Sequence, residues 1–410
     1  MKIILLTQYF PPEPGAGSNR AFENAKIWSD LGAKVTILTG FPHYPTGIIH
    51  PSYHNLKFLE ENIDDIRVIR TFTISAPNKG FFKRVLSYTS FMFASIIQGI
   101  KSVGNQDVII ATSPPFFVAI SGYIISRVKK IPFVFEVRDL WPESIVQLGQ
   151  IKNKVIIKTL EFLEIFLYKK ATHIISVTNS YIPIIVKKEI NNKKITVIKN
   201  GVNLALFKPQ RKNINLSQKF DLQNKFVIGY FGTLGISHAI DKVLNAAKLV
   251  SNNKDIHFLI IGDGAEKGNL LELKEKLNLT NVTFIKTINK TKLNDYYSIV
   301  NLMLVSLKNI PLFKTVIPSK MFEIMAMEKP FIITVDGEAR KMVEEAKAGV
   351  FCPPEDPEKL ALTIEKLMNQ KEVLKQYGKN GRKYVEENFD RNKLAKEYLD
   401  LLVNLSNHAN

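Results

Sequence analysis

Short apolar runs recur along the chain with helical stretches between them, and most end in small or turn-forming residues: KIILLTQYF, AKVTILTG, IRVIRTF, QDVIIATSPP, IPFVFEVRD, THIISVTN and KITVIKNG. These runs lack the polar alternation of a half-covered strand. They predict strands buried on both faces, which means a parallel sheet between helical layers. The segment from Leu204 to Gln223, with Pro209 and many Lys and Asn residues, reads as a linker. The pattern then restarts with KFVIGYFG, DIHFLIIGDG, NVTFIK, NLMLVSL, KPFIITVDG and AGVFCPP. The expected fold is α/β, with two consecutive doubly wound halves, 1–203 and 204–387. A chain of 410 residues exceeds the size at which single cores stop growing, as two halves require.

In open α/β sheets ligands bind beyond the carboxyl ends of the strands, so the loops after these runs carry the candidate chemistry. The first is PPEPGAGSNR, Pro11 to Arg20, ahead of a helix expected to start near Ala21. Gly15 and Gly17 allow a ligand close to the backbone, and the helix N-terminus favours anions; a plain flexible loop is the alternative. The second is GYFGTLGIS, in which the N–H groups around Gly232, Thr233, Leu234 and Gly235 suit a diphosphate. The third, IIGDGAEKG, has Gly262, Gly264 and Gly268 at the spacing G-x-G-x-x-x-G. It lies on the second strand of its half with no obvious ribose-binding acid after it, which argues against a dinucleotide fingerprint. EVRDLWPES gathers Glu136, Arg138, Asp139 and Glu143 around Trp141, either as substrate contacts or as a salt-bridged loop. His43 sits in the Pro- and aromatic-rich loop GFPHYPTG.

The stretch VIPSKMFEIMAMEKP, Val316 to Pro330, predicts a short helix with Pro318 at its first position and its end near Glu328. At about 100° per residue, Lys320, Glu323 and Met327 share one side, while Phe322, Met325 and Ala326 lie opposite. A Glu there can accept two hydrogen bonds from a vicinal diol such as a ribose, and the Lys can meet a phosphate. A solvated Lys/Glu pair at i, i+3 is the other reading.

The charge balance, 56 Lys+Arg against 38 Asp+Glu for a net +18, favours anionic partners: nucleic acid, an anionic membrane face or phosphorylated small molecules. No nucleic-acid-binding motif is recognisable and the charge spreads over both halves, so no nucleic acid is expected. Cys352 is the single cysteine, which excludes an intramolecular disulfide or a Cys-based zinc site and suits a reducing compartment. Seven scattered histidines give no metal-ligand spacing, so no metal is expected, and no G-x-x-x-x-G-K-[ST] loop occurs. The N-terminal MKIILL reads as a strand rather than a signal sequence. Val85 to Ile100 is uncharged and flanked by Lys83, Arg84 and Lys101, but is shorter than a spanning helix.

Taken in order, TQYFPPEPGAGSNRAFENAK, VRDLWPES, KNGV at 199–202, YFGTLG, IIGDG and PSKMFEIMAMEKP resemble the family 4 glycosyltransferases of the GT-B fold, over nearly the whole chain. The likeness extends to the WbuB-like transferases of bacterial O-antigen and capsule assembly. It implies two Rossmann-like domains facing across a cleft, an N-terminal acceptor-binding half and a C-terminal nucleotide-sugar half. It also implies a last helix, within 388–410, that returns to the first domain.

Carried onto this chain, the resemblance gives Glu323 the donor ribose and Lys320 the diphosphate. The turn from Gly232 to Gly235, Gly262, Ser319 and Thr315 would line the donor site, and Gly15, Gly17 and His43 the acceptor side. Thr315 stands where the family's first Glu belongs, and Arg138 stands for the His of its usual His-Asp pair, with Asp139 kept. Asp139 is expected to contact a substrate hydroxyl and Arg138 to help electrostatically. The implied activity is a retaining hexosyl transfer from a UDP-sugar, in which the leaving phosphate takes the acceptor proton, with no cofactor. The sugar would be an N-acetylated hexose and the acceptor a lipid-linked saccharide. The enzyme would be cytoplasmic and peripheral on the anionic inner membrane face. The apolar residues Phe81, Phe82, Val85, Leu86, Tyr88, Phe91, Met92 and Phe93, beside Lys79, Lys83 and Arg84, would dock there. A buried helix of the first half is the alternative for that stretch. A UDP-sugar epimerase of the same architecture is the alternative enzyme.

Overall fold

The structure, a computed structural model, describes residues 1–44, 46–77 and 81–407, with the Phe81 side chain set aside; Lys79 lies outside the described residues. The chain divides into two compact units. One is Met1–Asn200 with the segment from Arg391, and the other is Gly201–Asp390.

Among the described residues of the first unit eight strands form one sheet: β1 Lys2–Leu6, β2 Lys34–Gly40, β3 Phe58–Ile63, β4 Ile66–Thr71, β5 Val108–Ser113, β6 Phe133–Val137, β7 His173–Ser176 and β8 Ile195–Val197. Their order is β3-β4-β2-β1-β5-β6-β7-β8, parallel throughout except for β3 against β4. Chain direction across the sheet reverses between β1 and β5, so the loops after these two strands diverge and open a crevice. β1 and β5 are apolar on both faces because helices cover both, as the unbroken runs predict. β3 was not expected. Its FLEENI sequence alternates between exposed and half-buried positions, as an edge strand facing water does, and Asp64 and Asp65 turn it into β4 with φ of 48° and 65°. The C-terminal helix Arg391–Asn407 packs on helix Ala16–Asp30. Tyr398 meets Trp28 edge-on at 5.2 Å, and the Trp28 indole donates to the Ala395 carbonyl at 2.8 Å.

The second unit holds β9 Phe226–Phe231, β10 Ile256–Ile261, β11 Val282–Ile285, β12 Leu302–Ser306, β13 Phe331–Thr334 and β14 Gly349–Phe351. All are parallel, in the order β11-β10-β9-β12-β13-β14, with the reversal between β9 and β12. The stretch read as a linker, Leu204 to Gln223, is largely part of this unit. Phe207 and Leu222 are buried in its core, and Ile214–Lys219 is helical, capped by the Asn213 side chain. Its apolar residues are too sparse to register as an element, yet Leu204, Leu206, Leu216 and Phe220 pack against the same core, while Ile214 faces outward.

Among the described residues no helix is long and apolar enough to cross a membrane. Helix Phe81–Lys101 packs on β2, β4 and helix Phe117–Lys129, burying Phe91. Its outer side leaves Phe82, Leu86, Phe93, Ile97 and Ile100 exposed, at spacings of three, four and seven residues, and the helix carries no acidic residue. The inner face of this helix is thus part of the core of the first unit, and its outer face is apolar and exposed.

Candidate functional site

In the second unit, β9 ends in the Gly232–Gly235 turn beside the loop that follows β10. Backbone contact between them is intimate: Gly232 N–H donates to Ile261 O at 2.9 Å, and Leu234 N–H to Asp263 O at 2.8 Å. A Cβ at Gly262, where φ is 157°, would stand 1.8 Å from the Gly232 carbonyl oxygen, so only glycine fits. Gly262 therefore serves the closeness of the two loops. With the Gly232 and Leu234 N–H groups engaged and the Leu234 side chain in the core, the Thr233 and Gly235 N–H groups are the donors this turn can offer an anion.

Facing the turn is the start of helix Lys320–Ala326. This helix is shorter than predicted at both ends. Ser319 is the N-cap, so Pro318 precedes the helix, and Glu328 adopts the left-handed conformation at φ 52°. Glu328 N–H donates to Met325 O and Lys329 N–H to Ile324 O, a Schellman closure that stops the helix two residues early. Nor does it divide into an oily and a charged side. Met321, Phe322, Ile324, Met325, Ala326 and Met327 are all buried, leaving Lys320 and Glu323 as its half-buried polar positions.

Among the described residues the Lys320 ammonium is buried without a hydrogen-bond partner, 3.8 Å from the centre of the Tyr230 ring. It lies 2.6 Å from where a Cβ on Gly232 would be, which brings it against the turn. Burial pushes its pKa down to about 7, against the opposing pull of Glu323. Tyr230 in turn donates its hydroxyl to Thr233 O at 2.8 Å, bracing the turn. His238 stands beside the ammonium, with Nδ1 3.2 Å from Ser237 Oγ; burial and then the Lys320 charge push its pKa down to about 3, so it is neutral. The Glu323 carboxylate lies 3.4 Å from Lys290 Nζ. Thr315 closes the 3-10 turn Pro311–Thr315, donating to Leu312 O at 2.6 Å.

In the first unit, helix Ala16–Asp30 begins five residues before the expected start, with Gly15 as its N-cap. Ser18 secures that start by donating to Glu13 O at 2.8 Å. Gly17 is thus helical. A Cβ there would stand 2.1 Å from Arg138 Nη1, so the missing side chain admits the guanidinium against the first helical turn. Arg138 donates to Ser113 O at 3.0 Å and to Pro114 O at 2.9 Å, which fixes it at the point where the β1 and β5 loops diverge. Asp139 follows it, its pKa pushed up to about 6 by burial and restrained by the Arg138 charge.

The other charges of EVRDLWPES serve elsewhere. Glu136 is buried against Arg20 at 2.8 Å and accepts from Thr112 at 2.6 Å. Burial alone would raise its carboxyl, but the charges of Arg20 and Arg138 hold it below the ordinary range. Arg20 also donates to the carbonyls of Ile198 and Lys199 and to Asn200 Oδ1, each at 3.0 Å, tying the segment KNG to the sheet. Glu143 shares Lys188 with Glu164. His43 is buried, its Nδ1 2.8 Å from Phe41 O, while Glu13 accepts the N–H groups of His43 and Tyr44. Burial pushes the Glu13 pKa up to about 7. Sequence reasoning missed Tyr230, His238, Lys290 and Glu13. Tyr230, whose hydroxyl is the one polar side-chain group in the strand run FVIGYF, was the one available signal among them.

Residues 18–206 match the family model described as Glycosyltransferase Family 4, and residues 212–384 the model described as Glycosyl transferases group 1. The chain belongs to the glycosyltransferases of the GT-B fold, with a family 4 N-terminal half and a group 1 C-terminal half. It is 23% identical over 265 residues to a probable glycosyltransferase, WbjE, of Pseudomonas aeruginosa, covering 64% of this chain and 66% of that protein. It is 29% identical over 249 residues to the capsular polysaccharide biosynthesis glycosyltransferase CapM of Staphylococcus aureus, covering 57% and 63%. These matches span a little under two thirds of the curated relatives' own length. The crystal structure of HepE from Anabaena in complex with UDP and glucose superposes with a TM-score of 0.75 at 18% identity, covering 98% of this chain and 99% of that one; the likeness is one of fold.

Proposed function

We propose that the chain is a retaining glycosyltransferase that moves an N-acetylated hexose from a UDP-sugar to a lipid-linked saccharide, in the assembly of a cell-surface polysaccharide of the O-antigen or capsule kind. The observation that carries this reading is the unpartnered Lys320 ammonium pressed against the Gly232–Gly235 turn, one helical turn from Glu323. A buried cation without a partner is costly unless a ligand supplies the counter-charge. A diphosphate does so, taking Lys320 together with the Thr233 and Gly235 N–H groups, while Glu323 accepts from the ribose hydroxyls. Ser319 and Thr315 border the transferred sugar. The names of the relatives, with capsular polysaccharide biosynthesis among them, support the pathway, and the UDP and glucose bound to HepE support the donor class.

The chemistry then follows. The bond from the anomeric carbon to the diphosphate oxygen breaks, the acceptor hydroxyl oxygen bonds to that carbon from the same face, and its proton passes to the departing phosphate. Lys320 and the two N–H groups stabilise the negative charge that develops on the leaving group, so the proposal invokes no metal ion. In the first unit, Asp139 accepts from a substrate hydroxyl, Arg138 offsets its charge, and the Gly15–Gly17 segment borders the acceptor. His43 acts from beneath by holding the loop backbone. The exposed apolar stripe on helix Phe81–Lys101, with Lys83, Arg84 and Lys101, seats the first unit on the anionic cytoplasmic face of the membrane, where the lipid-linked acceptor resides.

Thermal melting against UDP, GDP, ADP and NAD tests the donor, since a ligand of the native state raises the midpoint by mass action. UDP is expected to give the largest shift. Glu323→Gln should weaken UDP binding about 10- to 100-fold, the worth of hydrogen bonds to a charged acceptor. An unchanged UDP affinity in that variant refutes the ribose assignment.

A further inference from the structure

We propose a second anion site in the C-terminal unit, at the amino ends of β9, β12 and β13, that takes a phosphorylated small molecule carrying at least two negative charges. A cavity of about 300 Å³ opens there, at the end of the sheet opposite to Gly232 and Lys320. Phe226, Asn301 and Pro330, at or just before the starts of these strands, form its floor. Lys212, Lys329, Lys371 and Lys375 line it, and Glu328 is the single carboxylate among the lining residues.

Three of these lysines, Lys329, Lys371 and Lys375, stand where local physics disfavours a cation without a counter-charge, while Lys212 is exposed and donates to Gln223 O at 3.1 Å. Lys371 and Lys375 are i, i+4 on helix Lys371–Asn388, a like-charge spacing that weakens a helix. Lys371 also lies in its first turn, beside Glu372, where the macrodipole is positive and anions are favoured. Gln370, the N-cap, makes no side-chain cap bond, so the first N–H groups of this 18-residue helix stay available on the same side. Lys329 is held inward by donating to Val300 O at 2.9 Å, leaving two ammonium hydrogens for other acceptors. Burial, and then the neighbouring Lys212 charge, push its pKa down to about 8, although Glu328 opposes. Several local preferences broken at one place mark a site whose stabilising partner is a ligand. The chemistry identifies that partner as phosphate, which offers several acceptor oxygens to lysines and helix N–H groups at once. Phe226 and Met368 supply an apolar wall, so an organic group attached to the phosphate is accommodated.

This site stands independently of the donor reading. Lys329 nevertheless lies just beyond the C-terminal end of the helix that carries Lys320 and Glu323, about 10 Å along it. Inorganic pyrophosphate is the probe, titrated calorimetrically into the chain saturated with UDP. One further equivalent is expected to bind, and Lys371→Gln/Lys375→Gln should weaken it at least tenfold while leaving UDP affinity unchanged. Both lysines are exposed, so this variant is expected to fold; Lys329→Met provides a second, independent loss. Absence of pyrophosphate binding to the UDP-saturated protein, or equal affinity in wild type and double variant, overturns the proposal. If the chain takes no UDP, the same titration on Lys320→Met reads this site alone, so the two readings fail separately.

Discussion

Replacing Lys320 by Met should stabilise the unliganded protein while abolishing its response to UDP. The ammonium is buried, unpartnered and titrates at about 7, where an unfolded lysine titrates near 10.5. A group with that pair of values destabilises the fold by about 4 kcal/mol at pH 7, before relaxation and solvent entry reduce it. About 2 kcal/mol is a working figure once those are allowed for. For a unit of this size that is about 4–8 °C in melting temperature. Met keeps the length of the stem and its packing against Tyr230 while removing the charge. Differential scanning calorimetry without ligand should therefore show Lys320→Met melting higher at pH 7. The pH dependence gives a sharper test. Because the folded pKa lies below the unfolded one, the unfolded state binds more protons between about pH 7 and 10.5, and wild-type stability gains from this residue as pH rises through that window. The penalty is fully present below pH 7. In the variant this gain is missing, so the two stability curves converge toward pH 10. A variant that melts lower than wild type at pH 7, or curves that stay parallel from pH 7 to 10, would refute a costly buried cation. A retained UDP shift would refute its role in binding diphosphate.

Arg20→Met leaves Glu136 buried beside Thr112 without its main counter-ion and frees the carbonyls of Ile198 and Lys199, so a loss of about 3–5 kcal/mol is expected from chemical denaturation. A loss below about 1 kcal/mol would show that Arg138 alone satisfies Glu136. Phe82→Ser/Phe93→Ser removes two exposed rings from the outer face of helix Phe81–Lys101 without touching buried Phe91. Co-sedimentation with phosphatidylglycerol vesicles should fall about tenfold or more while the melting temperature holds. Equal sedimentation of variant and wild type would refute membrane docking through this face.

The strand pattern was legible because helices cover both faces of each sheet, so burial writes an uninterrupted apolar run into the sequence. The one strand missed, Phe58–Ile63, is the one that faces water, and its FLEENI alternation is brief enough to pass for a polar loop. The start of helix Ala16–Asp30 was misplaced for a different reason. Gly15, Gly17 and Ser18 read as loop residues by propensity, but Gly17 is a helical position that must be glycine because Arg138, distant in sequence, occupies the space its side chain would fill. Tertiary packing overrode propensity there, and a single sequence does not encode which distant residue arrives.

The same reasoning separates the parts of the site that could be read from those that could not. Lys320 and Glu323 share one short helix, so their spacing alone placed them together. Tyr230, His238 and Lys290 come from three other segments and meet that helix through the sheet order, which brings β9 next to β12. What they contribute is an environment rather than a motif. The Tyr230 ring and neutral His238 strip water from the ammonium, and Lys290 gives the Glu323 carboxylate a counter-ion. An amphipathic helix in water would have left Lys320 and Glu323 to pair on the surface for less than about 1 kcal/mol. Here both lie half-buried on a helix whose other residues sit in the core, and the unmet charge of Lys320 is what gives a diphosphate something to bind.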